Sequence, residues 1–239
     1  MVLWLALTLP DASAGAATKV ELELVLAVDV SSSVNRKEYT LQMRGLAEAF
    51  RSEAVLEAIA AFAPNGVAVT LMQWGGLEEQ GVSVPWLLVR DAASAEAMAD
   101  GIDRALRLAE HGGTALGEAM LAAGRLFESN GYAGARRVID VSGDGHGNLG
   151  VQPEAVRADL LARGIVINGL AILNEEPELD RYYATYVIGG GDAFVVTAAD
   201  YDDFASAIQR KLVREIAGAR VASPRSGQER DIAAARLGN

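Results

Sequence analysis

Three short stretches of this chain carry oxygen ligands in an order and spacing that could gather round one point. They are Asp29-Val30-Ser31-Ser32-Ser33, Gly112-Gly113-Thr114 and Ser142-Gly143-Asp144-Gly145. Together they offer two carboxylates and five hydroxyls, three of them on Ser31, Ser33 and Thr114, with no imidazole and no thiolate. An all-oxygen set suits a hard cation, and a small set with few carboxylates suits Mg²⁺ better than Ca²⁺. The alternation of Asp29, Ser31 and Ser33 has its own physical reason. In a chain leaving a strand in extended form, every second side chain points the same way.

The elements that must position these residues follow from hydrophobic periodicity. Leu22 to Val28 is a nearly continuous apolar run, broken only by Glu23 and ending at Asp29, as suits a strand covered on both faces. Tyr39, Met43, Leu46, Ala47 and Phe50 then recur at helical spacing. Further strands are expected over Val67 to Trp74, Val82 to Val89, Arg137 to Val141, Ile165 to Ile172 and Ala193 to Val196. Helices are expected over Ser94 to Leu108, Ala115 to Phe127 and Pro153 to Arg163, with Pro153 suited to a first helical position. A final helix carries Tyr201, Phe204, Ile208, Leu212 and Ile216 on one stripe. Strands and helices alternating in this way predict one α/β domain: a mainly parallel central sheet with helices on both faces, in three Rossmann-like layers. Such folds bind ligands at the carboxyl ends of their strands, where the strand order reverses. The loops after Val28, Ala109 and Val141 hold the three oxygen-bearing stretches.

The D-x-S-x-S after an apolar first strand, the Thr in G-G-T opening a later helix and the Asp-Gly after a central strand together resemble a von Willebrand factor type A (VWA) domain of the compact bacterial kind. The set is similar to that family's metal-ion-dependent adhesion site, and the resemblance spans residues 20–218. It implies that Ser31 and Ser33 coordinate a divalent cation through their hydroxyls, with Thr114 doing so directly or through water. Asp29 and Asp144 would lie close by, holding metal-bound waters. The cation would be Mg²⁺, or else Mn²⁺ or Ca²⁺, and one open position would accept the carboxylate of a protein partner. The charge count fits such a role, because two carboxylates neutralise a divalent ion and leave it short of one strong ligand. One departure stands out. The family's third element usually reads Thr-Asp-Gly, whereas Gly143 precedes Asp144 here and Asp140 lies four residues earlier. Asp144 is the better match because it lies past the strand end; Asp140 would sit inside the strand, buried or paired.

Composition narrows the function classes. Of the 239 residues 51% are hydrophobic and 22% charged, which excludes a disordered chain. The 21 Lys and Arg against 32 Asp and Glu give a net charge of −11, so nucleic acid and anionic lipid are disfavoured as partners. With no cysteine there are no disulfides, thiolate zinc sites or thiol nucleophiles. Residues 1–17 pair an apolar stretch with Ala12-Ser13-Ala14, the pattern of a secretory signal peptide, although no Lys or Arg precedes the stretch. The mature chain is therefore expected to be exported, periplasmic or secreted, with no membrane span. Residues 219–239, around Ser223-Pro224-Arg225-Ser226-Gly227, read as a loose tail.

Plainer readings compete with the metal site. Ser31, Ser32 or Ser33 would serve as the N-cap of the helix that follows, Thr114 as the cap of its own helix, and Asp144 as a turn residue. A VWA scaffold binding its partner without metal is one alternative function. A serine hydrolase using a serine of the same loop is another; His146, two residues after Asp144, suggests it, but no G-x-S-x-G occurs, His146 reads as a solvated loop residue and no base can be placed. The expectation is a non-enzymatic binding module.

Overall fold

The computed structural model describes residues 16–109 and 112–222. Most of the leader-like segment, the end of the tail and His111 fall outside them. In chain order the elements are β1 (Thr18–Asp29), α1 (Arg36–Arg51), α2 (Glu53–Ala60), β2 (Val67–Trp74), β3 (Gln80–Val89), α3 (Ala92–Asp103), α4 (Leu116–Arg125), β4 (Tyr132–Gly143), α5 (Pro153–Ala162), β5 (Ile165–Ile172), α6 (Leu179–Tyr182), β6 (Val195–Ala198) and α7 (Phe204–Ala222). A π-helical turn, Tyr183–Val187, continues α6.

The six strands form one sheet in the order β3-β2-β1-β4-β5-β6, parallel except for β3. The alternation along β1 explains why it reads as a continuous apolar run. Leu22, Leu24, Leu26 and Val28 pack under α1, α2, α3 and α7, while Val25 and Ala27 pack under α4, α5 and α6. Both faces are therefore dry, as a central parallel strand requires. The α/β fold with helices on both faces expected from the sequence is the one observed.

Two features of this winding create the site. The connection from β1 leaves over the α1 face and the connection from β4 over the α5 face, so a crevice opens between the carboxyl ends of these neighbouring strands. In addition, α3 belongs to one helical layer and α4 to the other. The chain between them must cross the sheet, and its described residues, 104–109 and 112–115, lie above that crevice.

This crossing corrects the helix expected from Ser94 to Leu108, which starts at Ala92 and ends at Asp103. Beyond it, side chains supply the main-chain partners that further helical turns would have provided. The Tyr39 hydroxyl donates to Ala105 O at 3.0 Å, and Gln73, buried in β2, donates to Leu106 O at 3.1 Å and accepts from Leu108 N at 2.8 Å. Tyr201 lies just ahead of α7 rather than on it, α7 runs past Gly218 to Ala222, and α2 and α6 are additions to the expected elements.

Asp140 faces α7 from inside β4 and is buried and paired. Lys211, wholly buried, forms ion pairs with Asp140 and with Glu215, the latter at 2.7 Å. Asn168 of β5 donates to Glu215 Oε1 at 3.1 Å, and Arg136 donates to the Glu215 carbonyl at 3.0 Å. Two carboxylates thus share one lysine in a dry interface. Burial, and then Glu215, push the Asp140 carboxyl up to about 7, against the pull of Lys211. Removing one partner of such a cluster leaves uncompensated buried charge. Lys211→Met is expected to lower the unfolding free energy by about 3–5 kcal/mol at neutral pH. Urea unfolding should show a smaller loss in mild acid, where the Asp140 carboxyl takes up a proton.

Candidate metal centre

The site is built on the last residue of β1. Val30 keeps the sheet ladder for one more step, its N–H donating to Trp74 O at 2.8 Å, and Gln42 of α1 donates to the Asp29 carbonyl at 2.9 Å. The chain then turns on the Asp29 side chain, whose Oδ1 accepts the Ser31 N–H at 2.8 Å. Helix α1 does not use the serines that follow. Its cap is Asn35, which accepts from the main chain of Lys37 and Glu38 at 2.9 and 3.1 Å, while Glu38 returns a bond to the Asn35 N–H. The serine hydroxyls are left for each other and for Asp144. Ser31 Oγ and Ser33 Oγ are 3.1 Å apart, and Ser33 Oγ donates to Asp144 Oδ1 at 2.7 Å.

Asp144 is no turn residue at the surface. It is 1% exposed, and its second oxygen accepts a 3.0 Å hydrogen bond from the Tyr201 hydroxyl. Four of the five residues singled out in the sequence, Asp29, Ser31, Ser33 and Asp144, are thus joined by direct hydrogen bonds. Thr114 comes alongside by its main chain. Ser32 N–H donates to Gly112 O at 3.2 Å, Ala115 N–H to Gly75 O at 2.8 Å, and Thr114 N–H to the Asn148 side chain at 2.8 Å. Helix α4 begins at Leu116 without a side-chain cap, so the Thr114 hydroxyl is not spent on capping. Gly112 has φ +140°, and a Cβ there would lie 2.5 Å from the Glu79 carboxylate, so the residue has to be glycine.

Arg107 fixes the shape of the serine loop. One guanidinium nitrogen donates to the carbonyls of Val30, Ser31 and Val34 at 2.9, 3.0 and 2.6 Å, and Nε donates to Ala109 O at 2.7 Å. These bonds turn the loop carbonyls toward Arg107, on a segment where the sequence reading had a helix. A lone arginine just ahead of G-G-T in an acidic chain was the available signal. Tyr201 was read as one more residue of an apolar stripe, although a phenol on such a stripe carries a hydroxyl that needs a partner when buried.

The electrostatics set this centre apart. Asp29 is wholly buried and its Oδ2 has no hydrogen-bond partner among the described residues. Burial, and next the charge of Asp144, push its carboxyl from an ordinary 3.8 up to about 7, with Arg107 offsetting little. The buried Tyr183 hydroxyl, also without a partner, and Asp29 Oδ2 both lie within 3 Å of where a side chain on Gly143 would begin. That crowding accounts for glycine at position 143, where a threonine is usual. Two carboxylates with a buried, unsatisfied oxygen beside two serine hydroxyls have the donor chemistry of a hard-cation site.

His146, the histidine that the hydrolase alternative suggested, makes no hydrogen bond to the serines among the described residues. His146 pairs through Nδ1 with Glu176 and packs its ring 4.0 Å from that of Tyr182. The serines bond to each other and to Asp144 instead.

Comparison with known proteins agrees with this geometry at the level of fold. No curated protein matches the chain. Among solved structures it is similar to proximal thread matrix protein 1 from the mussel byssus, in a form with a zinc-occupied MIDAS motif. That match has 15% identity and a TM-score of 0.59, covering 84% of this chain and 49% of that one. It is similar also to the vWF domain of the type V pili tip protein Mfa5 from Porphyromonas gingivalis, at 12% identity and a TM-score of 0.59, covering 87% and 97%. A third is von Willebrand factor type A from Catenulispora acidiphila, at 18% identity and a TM-score of 0.54, covering 82% and 43%. The chain spans about half the length of the mussel protein. The family model described as protein of unknown function (DUF1194) matches residues 19–220. The chain is therefore a member of the DUF1194 family, built on the von Willebrand factor type A fold.

Proposed function

We propose that this protein is a non-enzymatic binding module that holds a divalent cation with Asp29, Ser31, Ser33, Thr114 and Asp144. The cation would be Mg²⁺, with Mn²⁺ and Ca²⁺ as substitutes. Its task is to hold an Asp or Glu of a protein partner, at the cell envelope or outside the cell. The observation that carries this reading is the Asp29 carboxylate, buried beside Asp144 with one oxygen unpartnered among the described residues. The mussel relative supports it, since that protein's MIDAS motif takes zinc.

The residues divide the work by their hydrogen bonds. Ser33 spends its proton on Asp144 at 2.7 Å and accepts one from Ser31 at 3.1 Å, which leaves one oxygen lone pair of Ser33 to face a cation. Asp144, fixed from its other side by Tyr201, and Asp29, fixed by the Ser31 amide, are held as acceptors beside the hydroxyls. When bound, the cation supplies a positive charge with one exchangeable position. No proton has to move and no bond has to break for a carboxylate to dock there, which is why the reading is binding rather than catalysis.

Titration calorimetry with Mn²⁺ and with Mg²⁺ tests the site. The wild-type protein should take up one cation saturably, Asp29→Ala should abolish uptake, and Thr114→Ala should weaken it by about 10- to 100-fold. No uptake by the wild type, or equal uptake by Asp29→Ala, would contradict the reading.

The buried carboxyl also predicts a pH dependence with a definite sign. A carboxyl whose pKa is higher folded than unfolded stabilises the fold below about pH 4 and loses that contribution as pH rises through about 7. The cation-free protein should thus be less stable at about pH 7.5 than at about pH 5, and divalent cation should restore the difference. Asp29→Asn should raise cation-free stability at neutral pH by on the order of 2–4 kcal/mol and flatten the profile. Asp140 contributes with the same sign, so some slope should persist. Urea unfolding in chelator and in Mg²⁺ measures both.

A further inference from the structure

The two sides of this site differ in chemistry. Among the described residues seven large apolar side chains are exposed. Five of them, Leu77, Leu106, Leu108, Leu149 and Val151, lie on the loops that border Thr114: the β2–β3 hairpin, the α3–α4 crossing and the β4–α5 loop. They are between 40% and 86% exposed. The loops touch one another. Leu149 covers Gly113, its methyl 2.5 Å from where a side chain there would begin, and Leu77 reaches within 3.1 Å of the same point on Gly150. On the other flank of the hairpin, Leu108 lies over Gly81 and Ala109 beside Gly75. The result is a rim of apolar side chains from the hairpin tip to the residue before Thr114, interrupted by exposed Glu78 and by the carboxylates of Glu79, beside Gly76 and Gly112, and Glu118, beside Gly150.

The opposite rim, beyond Ser33 and Asp144, is polar. A cleft of about 210 Å³ opens there between the start of α1 and the segment before α7, walled by Tyr201, whose hydroxyl holds Asp144. Glu38, Asp200 and Asp202 outnumber Lys37 among its charged residues. The site thus sits between a shelf of exposed leucines, with Glu78, Glu79 and Glu118 among them, and an acidic cleft, on a chain of net charge −11.

We infer that the partner presents a single carboxylate with apolar side chains on one side of it and no second acidic residue close by, and that Leu77 and Leu149 form the shelf on which those apolar side chains rest. The inference rests on the cation-binding reading and specifies the partner of that same site. Contiguous exposed apolar surface marks interaction sites in soluble domains, and here exposed apolar side chains border the position the carboxylate would take. Charge supplies the rest. The cation attracts one acid, while Glu38, Asp200 and Asp202 repel any other. A second copy of this chain, as acidic as the first, and an anionic lipid surface are both disfavoured by the same repulsion.

The test uses the full chain and a displayed library of nonapeptides with a fixed central Glu and random flanks, selected in Mn²⁺ and eluted with chelator. Enriched peptides should carry Leu, Ile, Met or Phe beside the Glu and lack a second Asp or Glu. A synthetic peptide of the enriched sequence should bind Leu77→Ser/Leu149→Ser about tenfold more weakly than wild type, while Mn²⁺ uptake by the variant stays at the wild-type level. Equal peptide binding by the two proteins, or enrichment of acidic flanks, would overturn the inference and leave the cation site standing. Self-association that the double variant abolishes would assign the shelf to a second copy and overturn it as well. Failure of the wild type to take up Mn²⁺ would overturn the underlying reading and the inference with it.

Discussion

A carboxylate at the end of an internal strand, closed off from water and facing another carboxylate, is expensive to maintain in a folded protein. Asp29 is in that position, and much of the surrounding structure serves to keep it there. The Ser31 amide and the Gln42 side chain fix its two ends, and Arg107 holds the loop that follows by three carbonyls. Gly143 leaves the space that Asp29 Oδ2 and the Tyr183 hydroxyl occupy. All this ordering surrounds a buried carboxyl whose Oδ2 meets no donor among the described residues, and the proposed cation site rests on that feature.

The contrast with Asp140 sharpens the point. Both aspartates are buried, both belong to internal strands, and burial pushes the carboxyls of both up to about 7. Asp140 is met by Lys211, and its cluster ties α7 to β4 and β5, so the protein itself closes the charge balance there. Asp29 meets hydroxyls, an amide and Asp144, with Arg107 turned to the loop carbonyls. One aspartate serves the architecture and the other serves the site, although their local sequences look equally like a strand interrupted by an acid.

Much of this was legible in the sequence because period and chemistry agreed. The apolar runs identified the parallel strands, and the three oxygen-bearing stretches fell where strands end, so a reversal of strand order was enough to bring them together. Less legible was whatever depended on tertiary substitution for local bonds. Residues 104–109 carry helical spacing yet run irregularly, because Tyr39 and Gln73 satisfy their main chain from other elements. Ser31 and Thr114 look like helix caps in one dimension, and only the Asn35 capping box and the uncapped start of α4 show that their hydroxyls are not used in that way. Tyr201 looked like one more apolar anchor, and its role emerges only from the hydroxyl at its tip reaching Asp144 across 57 residues of chain.

The loops that complete the centre also shape what reaches it. The crossing from α3 to α4 delivers Thr114, Arg107 and two exposed leucines together, so the proposed ligand, the group that holds the serine loop and the rim come from one segment. The central claim is that the point between these residues is a cation site, and anomalous diffraction from Mn²⁺-loaded crystals addresses it directly. The account requires a single anomalous peak in bonding contact with the Ser31 and Ser33 hydroxyl oxygens, absent from crystals of Asp29→Ala. A map with no peak between these hydroxyls, or with manganese bound only elsewhere on the acidic surface, would contradict it.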